Sequence, residues 1–171
     1  PSKIIYEKYL KQLDTTVWKL ANGARVILKP TDFKKNSITF SAQSPGGTSL
    51  ASDELFVSAD KAIDVVTYSG VGSFNAIELN KKLSGKNLSI QPEIFSLHEG
   101  MSGSSTIEDL PTFCELIHLY FTAPRFDVND FENYKNSERE MLLDRQLDPK
   151  EVFSDLYISK LYDNHYRVRP W

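Results

Sequence analysis

The sequence predicts an α+β fold, a mainly antiparallel sheet with long helices packed on one face. Three observations lead there. Two apolar runs flank Asn22-Gly23, the pattern of an antiparallel hairpin. Three stretches between residues 105 and 161 read as helices, the first with apolar residues at helical spacing. The order strands, helix, helix, strands, helix, helix, helix separates strands from the long helices.

Residues 1–14 mix Lys and Glu with Tyr and Leu and read as a lead-in helix or the end of a linker. Residues 15–171 then form a single α+β domain. Val17, Trp18 and Leu20 precede Asn22-Gly23, and Val26, Ile27 and Leu28 follow, which predicts a type I′ hairpin ending at Pro30. Residues 37–42 alternate polar and apolar, as a half-buried strand does. Ser44-Pro45-Gly46-Gly47 is a loop. Ser52-Asp53-Glu54 then offers caps for a helix carrying Leu55, Ala59, Ala62, Ile63 and Val66, stopped by Ser69-Gly70. A short helix fits residues 75–83, and strands fit residues 88–93 and 96–102. Ser105-Thr106-Ile107-Glu108 has capping-box spacing and opens a helix with Leu110, Phe113, Ile117, Tyr120 and Phe121 on one face. Pro111 is tolerated in its first turn, and Ala123-Pro124 ends it. Asp127 or Asn129 caps a charged helix through Tyr134, Met141 and Leu142, and a last helix spans residues 151–161.

At 171 residues the chain has the mass for one domain with a real core. Hydrophobic residues are 40% and charged residues 25%, as in an ordinary globular protein. A net charge of −3 argues against nucleic acid as the main partner. The apolar runs are too short to span a membrane. The single cysteine, Cys114, excludes an internal disulfide and leaves the compartment open. A start at Pro1-Ser2-Lys3 and an end at Arg169-Pro170-Trp171 are expected of a piece excised from a longer protein.

Taken in order, the motifs resemble one half of a zinc metallopeptidase of the pitrilysin–insulinase (processing-peptidase-like) family. They are the hairpin from Trp18 to Val26 with Leu28-Lys29-Pro30, the strand into Ser44-Pro45-Gly46-Gly47, the helix ending Tyr68-Ser69-Gly70, the strand from Leu97, Phe121-Thr122-Ala123-Pro124-Arg125-Phe126, and Asn164-His165-Tyr166-Arg167. The likeness extends from about Thr16 to Pro170. Active halves of the family carry His-x-x-Glu-His on the helix after the Gly-Gly loop. Two histidines four apart grip one zinc, and the Glu polarises the water. Here the pentad is Lys61-Ala62-Ile63-Asp64-Val65. A protonated lysine does not ligate zinc, and valine has no donor. The resemblance therefore implies no catalytic and no metal residue in this chain, with Lys61, Asp64 and Val65 as the degenerate motif positions. The third ligand of an active half, a Glu, falls in the neighbourhood of Glu138, Glu140 and Asp144, where a carboxylate has no histidine partners.

The resemblance further implies a clamshell of two homologous halves. This chain would be the first domain of a non-catalytic half, truncated at the C-terminal end of its fold. Its partners would be the catalytic half, in the same polypeptide or a partner subunit, and a peptide substrate. Zinc would sit in that catalytic half, and a bacterial periplasmic location is the family-level expectation.

Other constellations have plainer readings. Cys114 and His118 stand four apart on a helix, but two ligands fall short of a zinc site, and a buried small cysteine is the expectation. His98 and Glu99 are neighbours in a strand and point to opposite faces. His165 lies in a turn, as a surface or packing residue. Ser44-Pro45-Gly46-Gly47 lacks the Gly-Lys-Ser/Thr ending of a phosphate loop, and Ser102-Gly103-Ser104-Ser105 is no Gly-x-Ser-x-Gly elbow. Aromatic residues at apolar-face spacing are assigned to the core, and the charges of residues 127–151 to a solvated helix face. The alternative to a peptidase domain is a catalytically silent scaffold or assembly module of the same fold. An unrelated enzyme ranks last, because no nucleophile–base–orienter set is visible.

Overall fold

The computed structural model describes residues 2–169; Pro1, Pro170 and Trp171 of the chain-end motifs lie outside the described residues. The chain divides into two compact units between Ser37 and Ile38. Both are built on antiparallel sheets, and five α-helices lie among the described residues, so the architecture is α+β.

The first unit is a three-stranded meander, β1 (Ile4–Leu10), β2 (Thr15–Leu20) and β3 (Arg25–Leu28), in the order β1-β2-β3. Strand β1 corrects the linker or lead-in helix expected of residues 1–14. Ile4, Ile5, Tyr6 and Tyr9 are β-branched or aromatic, and they outweigh the interleaved Glu7 and Lys8. Asn22-Gly23 does turn the second hairpin, but not as type I′. Leu20 N–H donates to Ala24 C=O at 2.8 Å, and Gly23 N–H to Leu20 C=O at 3.0 Å. The connection is therefore Ala21-Asn22-Gly23. Of the three, Gly23 alone has a positive φ, 91°. A type I turn followed by a left-handed glycine is the usual three-residue hairpin.

The second unit begins with β4 (Ile38–Pro45), followed by 3₁₀ turns at Gly47–Leu50 and Asp53–Leu55. Next come α1 (Phe56–Ser69), α2 (Ala76–Leu83), β5 (Leu88–Ile94) and β6 (His98–Ser105). Last are α3 (Leu110–Thr122), α4 (Val128–Arg145) and α5 (Pro149–Leu161). The sheet order is β4-β6-β5, all antiparallel. Strand alternation puts Phe40, Ala42, Ile90, Pro92, Met101 and Gly103 on one face. That face receives α3: Phe113, 1% exposed, meets Phe40 edge-on with ring centroids 5.4 Å apart. A Cβ on Gly103 would come within 2.9 Å of Phe113 Cε2, so the glycine makes room for the ring. The opposite face is polar, with Ser89 bonded to Ser104 at 3.0 Å and Ser102 donating to Glu93 at 2.7 Å. The sequence implied one sheet, whereas the described residues form two sheets of three strands.

Helix starts follow local chemistry. Asn75 and Glu78 close a capping box on α2, and Asp127 and Asp148 cap α4 and α5. The box expected at Ser105 and Glu108 does not form. Ser105 is the last residue of β6, and its hydroxyl donates to Thr106 C=O. Instead Thr106 and Asp109 bond reciprocally, and buried Asp109 also accepts from Asn87 N–H at 2.7 Å and Lys86 Nζ at 3.1 Å. The hydrogen bond from Asn87 is the main reason its carboxyl is held below the usual carboxylate range.

Burial of the later helices departs from the expected pattern. Phe121 is exposed, and α5 presents Phe153, Leu156, Tyr157 and Leu161 to solvent. Its half-buried residues include Ser154, Asp155 and Ser159. Arg145 of α4 fixes this face by holding Asp155 at 2.5 Å and Glu151 at 3.2 Å. No helix among the described residues is long and apolar enough to cross a membrane.

Candidate functional site

Helix α1 carries the pentad. It ends at Gly70, whose φ of 95° and contact with the Phe74 carbonyl suit only glycine. Lys61, Asp64 and Tyr68 recur at i, i+3 and i+7 and so share a face. Tyr134 of α4, nine-tenths buried, meets that face. Its hydroxyl donates to Asp64 Oδ2 at 3.4 Å, and its ring lies edge-on to Tyr68 at 5.9 Å. Burial, then the charges of Glu138 and Asp64, push the Tyr134 hydroxyl up to about 12, so it stays protonated.

A polar cleft of about 900 Å³ opens here between α1, α2 and α4, with Asp64, Tyr68, Asn133, Tyr134 and Glu138 in its wall. Lys61 Nζ lies 3.8 Å from both Asp60 and Asp64 carboxylates, and all three side chains are about half exposed. Ala62 and Ile63 face the other way, into an apolar crevice of about 590 Å³ against Ala42 and Met101.

The residues of this face do not fit a zinc ion. Lys61 places its own cation against Asp64, and Val65 offers hydrocarbon where a donor is required. Among the described residues no three His, Cys, Asp or Glu side chains converge as a metal site. Glu138 does reach the cleft with Asp64, whereas Glu140 and Asp144 are exposed and outside its wall.

The other singled-out residues are dispersed. Cys114 and His118 lie on α3, both exposed, which corrects the buried cysteine expected at 114. His98 stacks on Phe95 with centroids 4.5 Å apart, and the Glu99 carboxylate accepts from Gly47 N–H. The Gly-Gly loop is thus a strapped turn: a Cβ on Gly47 would collide with the Phe95 carbonyl. His165 Nδ1 accepts from Arg167 N–H at 3.3 Å. Sequence reasoning missed two residues, Tyr134 and Arg167. Each acts through a partner more than 60 positions away, and no local spacing marks such a contact.

No family model matches the chain. It is 26% identical over 155 residues to the probable zinc protease PqqL of Haemophilus influenzae, across 91% of this chain and 16% of that protein. The fold superposes on the ferredoxin protease FusC, solved in complex with Arabidopsis ferredoxin, with a TM-score of 0.79. That match is 19% identical and covers 92% of this chain and 18% of FusC. The periplasmic protease PqqL from Escherichia coli gives a TM-score of 0.76 at 20% identity, over 93% of this chain and 18% of that one. The chain spans less than a fifth of each relative's length. The chain is thus similar in sequence to a segment of a probable zinc protease and shares its fold with a segment of two solved proteases.

Proposed function

We propose that this chain is a non-catalytic domain of a two-half zinc metalloendopeptidase. It closes the chamber and helps to hold peptide while another half, which carries the zinc, hydrolyses it. One observation carries the reading. On a peptidase-like shell, the helix that would grip the ion presents Lys61 clasped by Asp60 and Asp64 with Val65 beside it. Neither the lysine nor the valine serves as ligand, whereas the cleft alongside keeps Asn, Tyr and carboxylate groups able to bond a peptide backbone. The partner is the catalytic half, in the same polypeptide or a separate subunit, and the compartment is a bacterial periplasm, as for the Escherichia coli relative.

The test uses fluorescent unfolded peptides with the 171-residue chain alone, in buffer containing zinc. The reading requires binding without cleavage. Cleavage that a chelator suppresses would overturn it.

A further inference from the structure

Helix α1 begins without a side-chain cap: its N-cap position is Leu55, and no side chain accepts from the first-turn N–H groups. Its start rests on the preceding 3₁₀ turn, where Phe56 N–H donates to Asp53 C=O. The segment before the helix contributes little apolar anchoring, because Leu50 is 78% and Leu55 60% exposed. Residues 46–49 are pinned to the β5–β6 connection, through Thr48 N–H to Phe95 C=O at 2.9 Å and Ser49 N–H to Ser96 C=O at 2.8 Å. Residues 50–55 have no such pinning. From the C-terminal turn, Arg167 donates side-chain hydrogen bonds into this segment, to Asp53 and Ala51.

Arg167 makes three hydrogen bonds in the region at once, two to residues 50–55 and one to Thr48. Its Nε donates to Asp53 Oδ1 at 2.7 Å, its Nη2 to Ala51 C=O at 2.7 Å and its Nη1 to Thr48 C=O at 3.1 Å. The guanidinium lies 5.1 Å above the ring of Phe56, the first residue of α1, and Tyr166 meets the same ring edge-on at 6.3 Å.

The geometry points to Arg167 as a remote latch on the pentad helix, doing from the C-terminal turn what a local cap does elsewhere. With the latch closed, the 3₁₀ turn is held and α1 starts at Phe56. With it open, residues 50–55 come free, the uncapped first turn of α1 frays, and the fraying runs toward Asp60 and Lys61. Local opening of this kind needs less free energy than unfolding the sheet, because the contacts it breaks are polar and partly exposed. The fork of the guanidinium is essential, since one ammonium cannot meet two carbonyls and a carboxylate spread along the turn.

Amide hydrogen exchange on the 171-residue chain tests the latch, with circular dichroism confirming that each variant is folded. In Arg167→Ala, amides of residues 51–60 exchange faster by about tenfold or more, while those of β4, β6 and α3 keep wild-type rates. Arg167→Lys behaves like Arg167→Ala. Asp53→Asn, which leaves both carbonyl contacts, has a smaller effect confined to the same residues. Unchanged exchange at residues 51–60 in Arg167→Ala would overturn the proposal. So would equal acceleration across the sheet, since Arg167 would then be a general stabiliser. Should Arg167→Ala not fold, Asp53→Asn decides by the same two patterns.

Discussion

Tyr134 of α4 points its hydroxyl at the Asp64 carboxylate of α1, 3.4 Å away, across the helix pair that walls the polar cleft. The bond is long, and the ring packing against Tyr68 adds to it. Asp64 thus faces a neutral donor, with the Lys61 ammonium 3.8 Å away.

Removing that hydroxyl carries a modest cost. Tyr134→Phe should lower stability by about 0.5–1.5 kcal/mol at neutral pH, the usual net worth of one hydrogen bond. Urea unfolding reads this directly; no change would mean that the contact contributes nothing.

The same residue gives a pH signature. Its folded value, pushed up to about 12, lies above the value near 10 of an unfolded tyrosine. A raised value favours the protonated form in the fold. That contribution is complete below pH 10 and is lost as pH rises from 10 to 12. Comparing wild type with Tyr134→Phe at pH 8 and pH 11 isolates it: the wild type should lose more stability than the variant over that interval.

Asp109 should show the reverse dependence. Its carboxyl is held low by the Asn87 hydrogen bond, with Lys86 and Thr106 assisting. A lowered value stabilises the fold above the unfolded carboxylate range, and the effect fades as pH falls through the folded value. Asp109→Asn should therefore be less stable than wild type at pH 7, and the gap should close in acid. A gap that persisted at pH 2 would assign the loss to packing.

Phe113 is the anchor between α3 and the sheet. Phe113→Ala should cost about 3–5 kcal/mol, the range for a buried aromatic truncated in a core. By contrast Phe153→Ser and Leu156→Ser on the outward face of α5 should each stay within about 0.5 kcal/mol. Paired thermal melts distinguish these positions; a large loss at Phe153 would mean that α5 packs by its apolar stripe.

That contrast marks where the sequence was legible. The hairpin through Trp18 and Val26, the short helix after Asn75 and the cap at Asp127 were readable, because each is settled within a few residues. Strand β1 was not: Glu7 and Lys8 look solvated in isolation, and only pairing with β2 makes Ile4–Leu10 a strand. Helix α5 departs from the assignment of aromatic residues to the core: Phe153 and Tyr157 are exposed, and Arg145 holds Asp155 on the other side. At the site, Lys61, Asp64 and Val65 were legible as positions on one helix. The Tyr134 contact spans 70 residues and the Arg167 contact to Asp53 spans 114, so both belong to the tertiary fold.

Zinc binding by the purified 171-residue chain tests the central claim most directly. Equilibrium dialysis against micromolar zinc at pH 7.5, followed by elemental analysis, should leave no stoichiometric metal, and Asp64→Asn should change nothing. One zinc retained per chain, and lost in Asp64→Asn, would show that the Lys61–Val65 helix holds the ion after all.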